Sequence, residues 1–275
     1  MNKRILTIQD ISCVGQCSLT VALPIISACG IETCVLPSAV LSTHTGGFSG
    51  YTFRDLTEDM PAICKHWEKE NIFFDCIYTG YLGSAKQIDY VMDIFQRCGK
   101  ENCVKIVDPA MADNGKLYVG FDDAFVQKMK ELCAQADVVL PNITEACLLT
   151  DTPYLQTYTQ KDVQTLIDKL KALGAKTVVL TGIGYQADKT GVVVCGERGN
   201  GYYEHEKMPK GCHGTGDIYA SAFVGALMRG KSAFDAATIA ADYTLACIKA
   251  TNLDESHWYG ARFEGSLPIL MQRLK

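Results

Sequence analysis

The chain has 275 residues, 48% of them hydrophobic and 21% charged, with a formal net charge of −5. That apolar fraction supports a sizeable core and excludes a disordered chain, and the length suits one large α/β domain. The acidic balance, with no local Lys/Arg cluster, provides no basic field for nucleic acid. In chain order, apolar runs of strand length occur at residues 4–8, 33–37, 73–78, 103–107, 137–140, 177–180 and 191–195. Helix-period segments lie between several of them, at 85–97, 122–134 and 160–173. In the second of these, Phe125, Met129 and Leu132 recur on one helical face. The alternation predicts a mostly parallel central sheet with helices on both faces, a three-layer α/β/α sandwich. Residues 38–60 are rich in Ser, Thr, Gly and aromatics around His44-Thr45-Gly46-Gly47, and read as a flap over a site. From 214 to 251 the pattern becomes two consecutive helices, then a polar break and a last helix near 266–274. No repeat, linker or low-complexity tract interrupts the chain, so residues 1–275 read as a single domain.

The 13 cysteines are odd in number and scattered, without C-x-x-C spacing. Cys13 and Cys17 form the tightest pair, and no zinc-like partner group follows. They read as reduced, mostly buried thiols. The opening MNKRILTIQDIS is broken by Gln9 and Asp10 and reads as a first strand rather than a signal peptide. No run reaches the ~18 apolar residues that a membrane helix needs. The expectation is a cytoplasmic protein with neither membrane nor nucleic-acid partner.

Two phosphate signals stand close together. Residues 225–232 spell G-x-x-x-x-G-K-S, the Walker A pattern, and Gly214-Thr215-Gly216-Asp217 lies just before them. A Walker A loop needs a buried strand before it and a helix starting at its Gly-Lys-Ser end. Here Ile218, Ala222, Phe223, Ala226 and Leu227 recur at helical spacing, so Gly225 falls inside a helix. Gly230 reads as that helix's terminator, and Ser232 as the cap of the next, with Asp235 three residues on. The Gly-Thr-Gly-Asp stretch has the opposite context, a polar stretch before and a long apolar helix after. Two glycines let backbone N–H groups converge on an anion, and the helix N-terminus adds partial positive charge. Asp217 at the helix start can serve as a base beside an attacking hydroxyl. By itself the tetrapeptide is equally a turn with an N-terminal Asp.

Other polar groups sit at successive predicted strand ends. Asp108 closes the 103–107 run, with Asp113 five residues later. Asn142 and Glu145 follow the 137–140 run, and Thr181 and Gly182 follow the 177–180 run. Ligands of open α/β sheets bind outside the carboxyl ends of the strands. Three acidic groups and a glycine nest on one rim suggest Mg²⁺ with a polyphosphate.

These residues resemble the ribokinase-like superfamily, and within it the pyridoxal (vitamin B6) kinases, over nearly the whole chain. The resemblance rests on Gly214-Thr215-Gly216-Asp217, Val107-Asp108-Pro109-Ala110-Met111, Pro141-Asn142-Ile143-Thr144-Glu145-Ala146, Thr79-Gly80-Tyr81-Leu82-Gly83-Ser84 and His44-Thr45-Gly46. It implies a homodimer with a Rossmann-like core that phosphorylates the 5′-hydroxymethyl group of a B6 vitamer, using ATP and Mg²⁺, with K⁺ as a further candidate ion. It makes Asp217 the base and the backbone of Gly214, Thr215 and Gly216 the anion hole. Asp108 and Glu145 lie near Mg²⁺ and the ATP phosphates, with Asp113 and Asn142 beside them. Thr181 and Gly182 contact the nucleotide, Tyr81 packs on the pyridine ring, and Thr45 and Gly46 touch the substrate from the flap.

The resemblance departs in two places. The family usually carries Ile-Gln-Ser where this chain has Ile8-Gln9-Asp10, and His-Thr-Gly-Tyr where Gly47 and Phe48 follow His44-Thr45-Gly46. A carboxylate at Asp10 suggests a partner for the pyridinium or for the aminomethyl group of pyridoxamine. Cys212 is a candidate thiol toward an aldehyde, provided a positive neighbour lowers its pKa. Lys207 and Lys210 are candidates to approach the ATP phosphates. The rival functions are a hydroxymethylpyrimidine or other small-molecule kinase of the same fold, a non-catalytic vitamin- or nucleotide-binding protein, and a thiol or metal protein.

Overall fold

The computed structural model describes residues 3–154, 156–254 and 256–275. The chain runs β1 (Arg4–Ser12), α1 (Leu19–Ala28), β2 (Glu32–Leu41), β3 (Phe53–Asp55), α2 (Met60–Lys69), β4 (Phe74–Thr79), α3 (Ala85–Arg97) and β5 (Gly99–Val107). A small hairpin of β6 (Ala112–Asp113) and β7 (Lys116–Leu117) follows, then α4 (Asp123–Ala134), β8 (Val138–Val139), α5 (Ile143–Leu149) and α6 (Gln160–Ala172). The last third holds β9 (Thr177–Thr181), β10 (Lys189–Gly196), β11 (Gly199–Glu206), α7 (Thr215–Met228), α8 (Ala233–Asn252) and α9 (Leu267–Arg273).

Among the described residues, nine strands form one sheet in the order β11-β10-β9-β8-β5-β4-β1-β2-β3. The six strands from β9 to β2 are mutually parallel, and antiparallel strands close both edges. Alternation along each strand feeds two cores. Ile5, Cys76, Tyr78 and Val179 pack with α1, α7, α8 and α9. Leu6, Ile8, Ile77, Val178 and Leu180 pack with α2 to α6. Burial on both faces is why these strands read as continuous apolar runs instead of alternating ones.

Some elements differ from the sequence expectation. Residues 204–206 belong to β11, an edge strand whose Tyr202 and Tyr203 pack against opposite layers while its charged residues stay at the rim. Within the flap, β3 spans only three residues and pairs antiparallel with β2. Helix α1 has no polar face to betray its period, because both the sheet and α7 cover it.

The Walker-like run is a helix corner. Gly225 sits inside α7, and a Cβ there would stand 2.3 Å from the Cys29 sulfur at the end of α1. The glycine permits close packing of the two helices. Gly230 takes φ +94° after the helix end, and its N–H donates to the Leu227 carbonyl at 2.9 Å. The Ser232 hydroxyl then caps α8 by accepting from the Asp235 N–H at 3.1 Å.

The strand order also locates a crevice. From β1 the chain moves outward to β2, then returns across β1 to β4 and proceeds the other way. The carboxyl ends of β1 and β4 therefore flank a topological switch point, where open α/β sheets bind ligands.

Candidate active site

The nest lies over this switch point. Gly214 is the N-cap of α7 at φ +77°, ψ 3°, a left-handed geometry that favours glycine, and among the described residues no side chain caps the helix. A Cβ at Gly214 would also stand 2.1 Å from the Gln16 carbonyl oxygen. The first-turn N–H groups of α7 and its positive dipole end are thus presented beside Asp217. Burial raises the Asp217 carboxyl to about 6; the Asp10 charge adds to the rise, and the Ser18 N–H directed at Asp217 opposes it.

Asp108 follows the end of β5, where its N–H donates to the Thr79 carbonyl at 2.9 Å and its Oδ1 accepts from the Ala110 N–H at 3.2 Å. Burial pushes its carboxyl well above the usual carboxylate range, and the charges of Glu145 and Asp217 push it further. Ala110 holds φ +35°, a strained value for a residue with a side chain. The strain is maintained from α5. Glu145 Oε1 accepts from the Met111 N–H at 3.0 Å, and its Oε2 accepts from the Asn142 N–H at 2.9 Å. Asn142 Oδ1 accepts in return from the Glu145 N–H at 3.0 Å, completing a capping box, while its Nδ2 donates to the Ala112 carbonyl at 2.8 Å.

These bonds separate the expected metal ligands. Glu145 is 2% exposed, with both carboxylate oxygens on backbone N–H groups. Asp113, in the β6–β7 hairpin, accepts from the Asn114 N–H and side-chain amide at 2.8 and 2.9 Å. Among the described residues, no three His, Cys, Asp or Glu side chains are grouped to hold a metal ion. Asp108, Asp113 and Glu145 therefore do not converge as a ready-made triad, because a capping box and a tight turn claim two of them. Thr181 donates its N–H to the Pro141 carbonyl at 3.0 Å, and Gly182 (φ +74°) has open space where a Cβ would project. Tyr118, which carried no sequence signal, stands close enough to feel Glu145, Asp113, Asp108 and Asp217.

On the substrate side, the Tyr81 ring stacks on Phe121 at 5.5 Å between centroids. His44 is a pin instead of a contact: its Nδ1 accepts from the Gly46 N–H at 3.0 Å, and its Nε2 meets the Tyr259 carbonyl at 2.5 Å. Those partners assign the neutral Nε2–H tautomer. Thr45 is exposed beside it. Phe48 packs on Trp258 at 4.7 Å, so residues 258–259 clasp the flap, a contact that no local pattern revealed. Asp10 is 5% exposed, and its two oxygens accept from the Ser12 and Ser18 hydroxyls at 2.9 and 2.5 Å. Cys212 is half-buried, and burial pushes its thiol up despite Lys210, which argues against a thiolate. Lys207 and Lys210 are exposed. A cleft of about 790 Å³ opens behind the nest, lined by Cys13, Gln16, His257, Tyr259 and Arg262. None of the rim carboxylates lines it.

The profile of the phosphomethylpyrimidine kinase family matches residues 26–261. The chain belongs to this family. Among the proteins similar to this phosphomethylpyrimidine kinase family member are pyridoxal kinases. One from Dictyostelium discoideum is 26% identical over 269 residues, covering 92% of this chain and 84% of its own. The structure of pyridoxal kinase from Lactobacillus plantarum is 31% identical with a TM-score of 0.90, covering 98% of this chain and 97% of its own. A Bacteroides thetaiotaomicron structure provisionally described as a phosphomethylpyrimidine kinase, in a crystal form with pyridoxal, is 37% identical with a TM-score of 0.92. That match covers 98% of this chain and 96% of its own. The ribokinase-like α/β fold and the pyridoxal kinase branch named by the sequence resemblance are those of these relatives.

Proposed function

We propose that this protein transfers the γ-phosphoryl group of ATP to the 5′-hydroxymethyl group of a B6 vitamer. The observation that carries the proposal is Asp217, at the uncapped N-terminus of α7 beside the switch point, with its carboxyl raised to about 6. A base with a pKa just below neutral is ionised at working pH and still accepts a proton usefully. The hydroxyl oxygen attacks the γ-phosphorus as its proton passes to Asp217. The bond from the γ-phosphorus to the bridging oxygen breaks, and that electron pair leaves on ADP. Backbone N–H groups of residues 214–217 face the charge on the transferring group. The flap, held by His44 and Trp258, excludes water, the competing acceptor.

Asp108 fits a hard cation. It keeps one carboxylate oxygen without a hydrogen bond among the described residues and sits in the repulsive field of Glu145 and Asp217. Asp108 would hold Mg²⁺ together with water and phosphate oxygens, and the ion would neutralise phosphate charge. Glu145 and Asn142 serve by bracing the 108–112 loop. Thr181 and Gly182 line the nucleotide end, and Tyr81, Thr45 and Gly46 the ring end. K⁺ dependence and a homodimer are carried by the resemblance alone, and a cytoplasmic location by the scattered cysteines and the strand-like start of the sequence; light scattering of the purified protein checks the dimer.

Pyridine is favoured over pyrimidine because pyridoxal accompanies the 37%-identical structure and the curated relatives are pyridoxal kinases. The test is an ADP-release assay across pyridoxal, pyridoxine, pyridoxamine, hydroxymethylpyrimidine and ribose. Turnover is expected for the three vitamers, and Asp217→Asn is expected to lower kcat by ~10²-fold or more with ATP affinity held within severalfold. Near-normal turnover by that variant removes Asp217 from the mechanism.

A further inference from the structure

The segment between β1 and α1 forms a wall of the nest, and its backbone is unusual. Gln16 and Ser18 both have φ +55°, and Ser18 pairs that with ψ −129°, a combination that ordinarily requires glycine. A glycine would relieve the backbone there. The serine therefore has to be explained by its side chain. Its hydroxyl donates to Asp10 Oδ1 at 2.5 Å, and Ser12 donates to Oδ2 at 2.9 Å. Asp10 and Ser18 are each 5% exposed, and Ser18 bridges back to Ile11 in antiparallel fashion. From the other side, the Ser18 N–H is directed at the Asp217 carboxylate. The Gln16 carbonyl occupies the space beside Gly214 where a Cβ would stand, and Cys17 Sγ lies 3.4 Å from that point.

We propose that Asp10 is a positioning residue: through Ser18 it fixes the turn at 15–18 against the nest at 214–217 and sets the placement of Asp217. Resting on the kinase function proposed above, it removes Asp10 from the substrate's ring. Each carboxylate oxygen already accepts from a buried or inward-facing hydroxyl, and the side chain is 5% exposed, so Asp10 is directed at the turn and not at the substrate's pyridinium or aminomethyl group.

The experiment is steady-state kinetics on the three vitamers and ATP for wild type, Asp10→Ala, Asp10→Asn, Ser18→Gly and the Asp10→Ala/Ser18→Gly pair. Asp10→Ala and Ser18→Gly are each expected to lower kcat about tenfold on every vitamer, with KM within about twofold. The pair is expected to be no worse than either alone, because the two residues act through one link. Asp10→Asn keeps a hydrogen-bond partner for both hydroxyls and is expected within about threefold of wild type, an outcome that a lost ionic contact to substrate does not allow. Ser18→Gly places glycine in a geometry it prefers, so a kcat loss there with unchanged near-ultraviolet circular dichroism is not misfolding. A changed vitamer ranking in Asp10→Asn, full activity in Ser18→Gly, or multiplying losses in the pair overturns the inference alone. Wild type inactive on every vitamer overturns the kinase function and this inference together.

Discussion

An aspartate in water is ionised well below neutral pH, yet Asp217 is pushed up to about 6 by the mass of protein around it and by the Asp10 charge. Catalysis by its ionised form is therefore expected to fall as pH drops through about 6, which a kcat/KM profile for the vitamer between pH 5 and 8 measures. Stability moves the other way. The folded state holds this proton more tightly than the unfolded chain does. The resulting stability is complete below the ordinary value of 3.8 and is lost as pH rises through about 6. Replacing the charge with an amide is thus expected to stabilise the protein by about 1–2 kcal/mol at pH 8 and by less at pH 5, read from urea unfolding at the two pH values. An Asp217→Asn variant no more stable than wild type at pH 8 would show that the carboxylate is better solvated than its surroundings imply.

At the scale of elements, two glycines that open similar phosphate-binding patterns have opposite roles. Gly214 opens α7 in a left-handed conformation, whereas Gly225 lies inside the same helix and lets it approach α1. Lys231, the lysine of the Walker-like run, belongs to the corner between α7 and α8. Lys231→Ala is expected to leave kcat and the KM for ATP within about twofold, measured in the same ADP-release assay. Gly225→Val is expected to destabilise by about 2 kcal/mol or more, measured by chemical denaturation, because a branched side chain must enter space held by Cys29. The corner was legible beforehand, since Ile218, Ala222 and Phe223 already continue a helical period through Gly225. The capping box of Asn142 and Glu145 was legible only as an alternative. A carboxylate three residues beyond an Asn serves a cap or a cation equally well until its partners are seen.

Across the whole molecule, the site closes through segments far apart in the chain. His44 and Phe48 of the flap meet Tyr259 and Trp258 more than 200 residues later. A Trp258→Ala variant is expected to loosen the flap, raising the KM for the vitamer severalfold and increasing ADP release in its absence, with the KM for ATP little changed. Measuring ADP against pyridoxal phosphate formed gives the coupling ratio; a ratio unchanged from wild type would remove the clasp from function.

Periodicity alone determined the layered fold, because a strand buried on both faces and a helix covered on one write different repeats into the chain. Local context alone separated Gly214 from Gly225 and put Asp217 at a helix start, and strand-end position alone collected Asp108, Asp113 and Glu145 on one rim. What those carboxylates do was left to tertiary structure. Whether an oxygen faces solvent, a backbone N–H or a hydroxyl depends on neighbours that adjacent residues do not encode. Hence Asp10 turned inward to Ser12 and Ser18, Asp113 was claimed by its own hairpin, and Glu145 came to brace a loop. Among the described residues, Asp217 alone of the acidic residues at this rim is set in the first turn of a helix that no side chain caps.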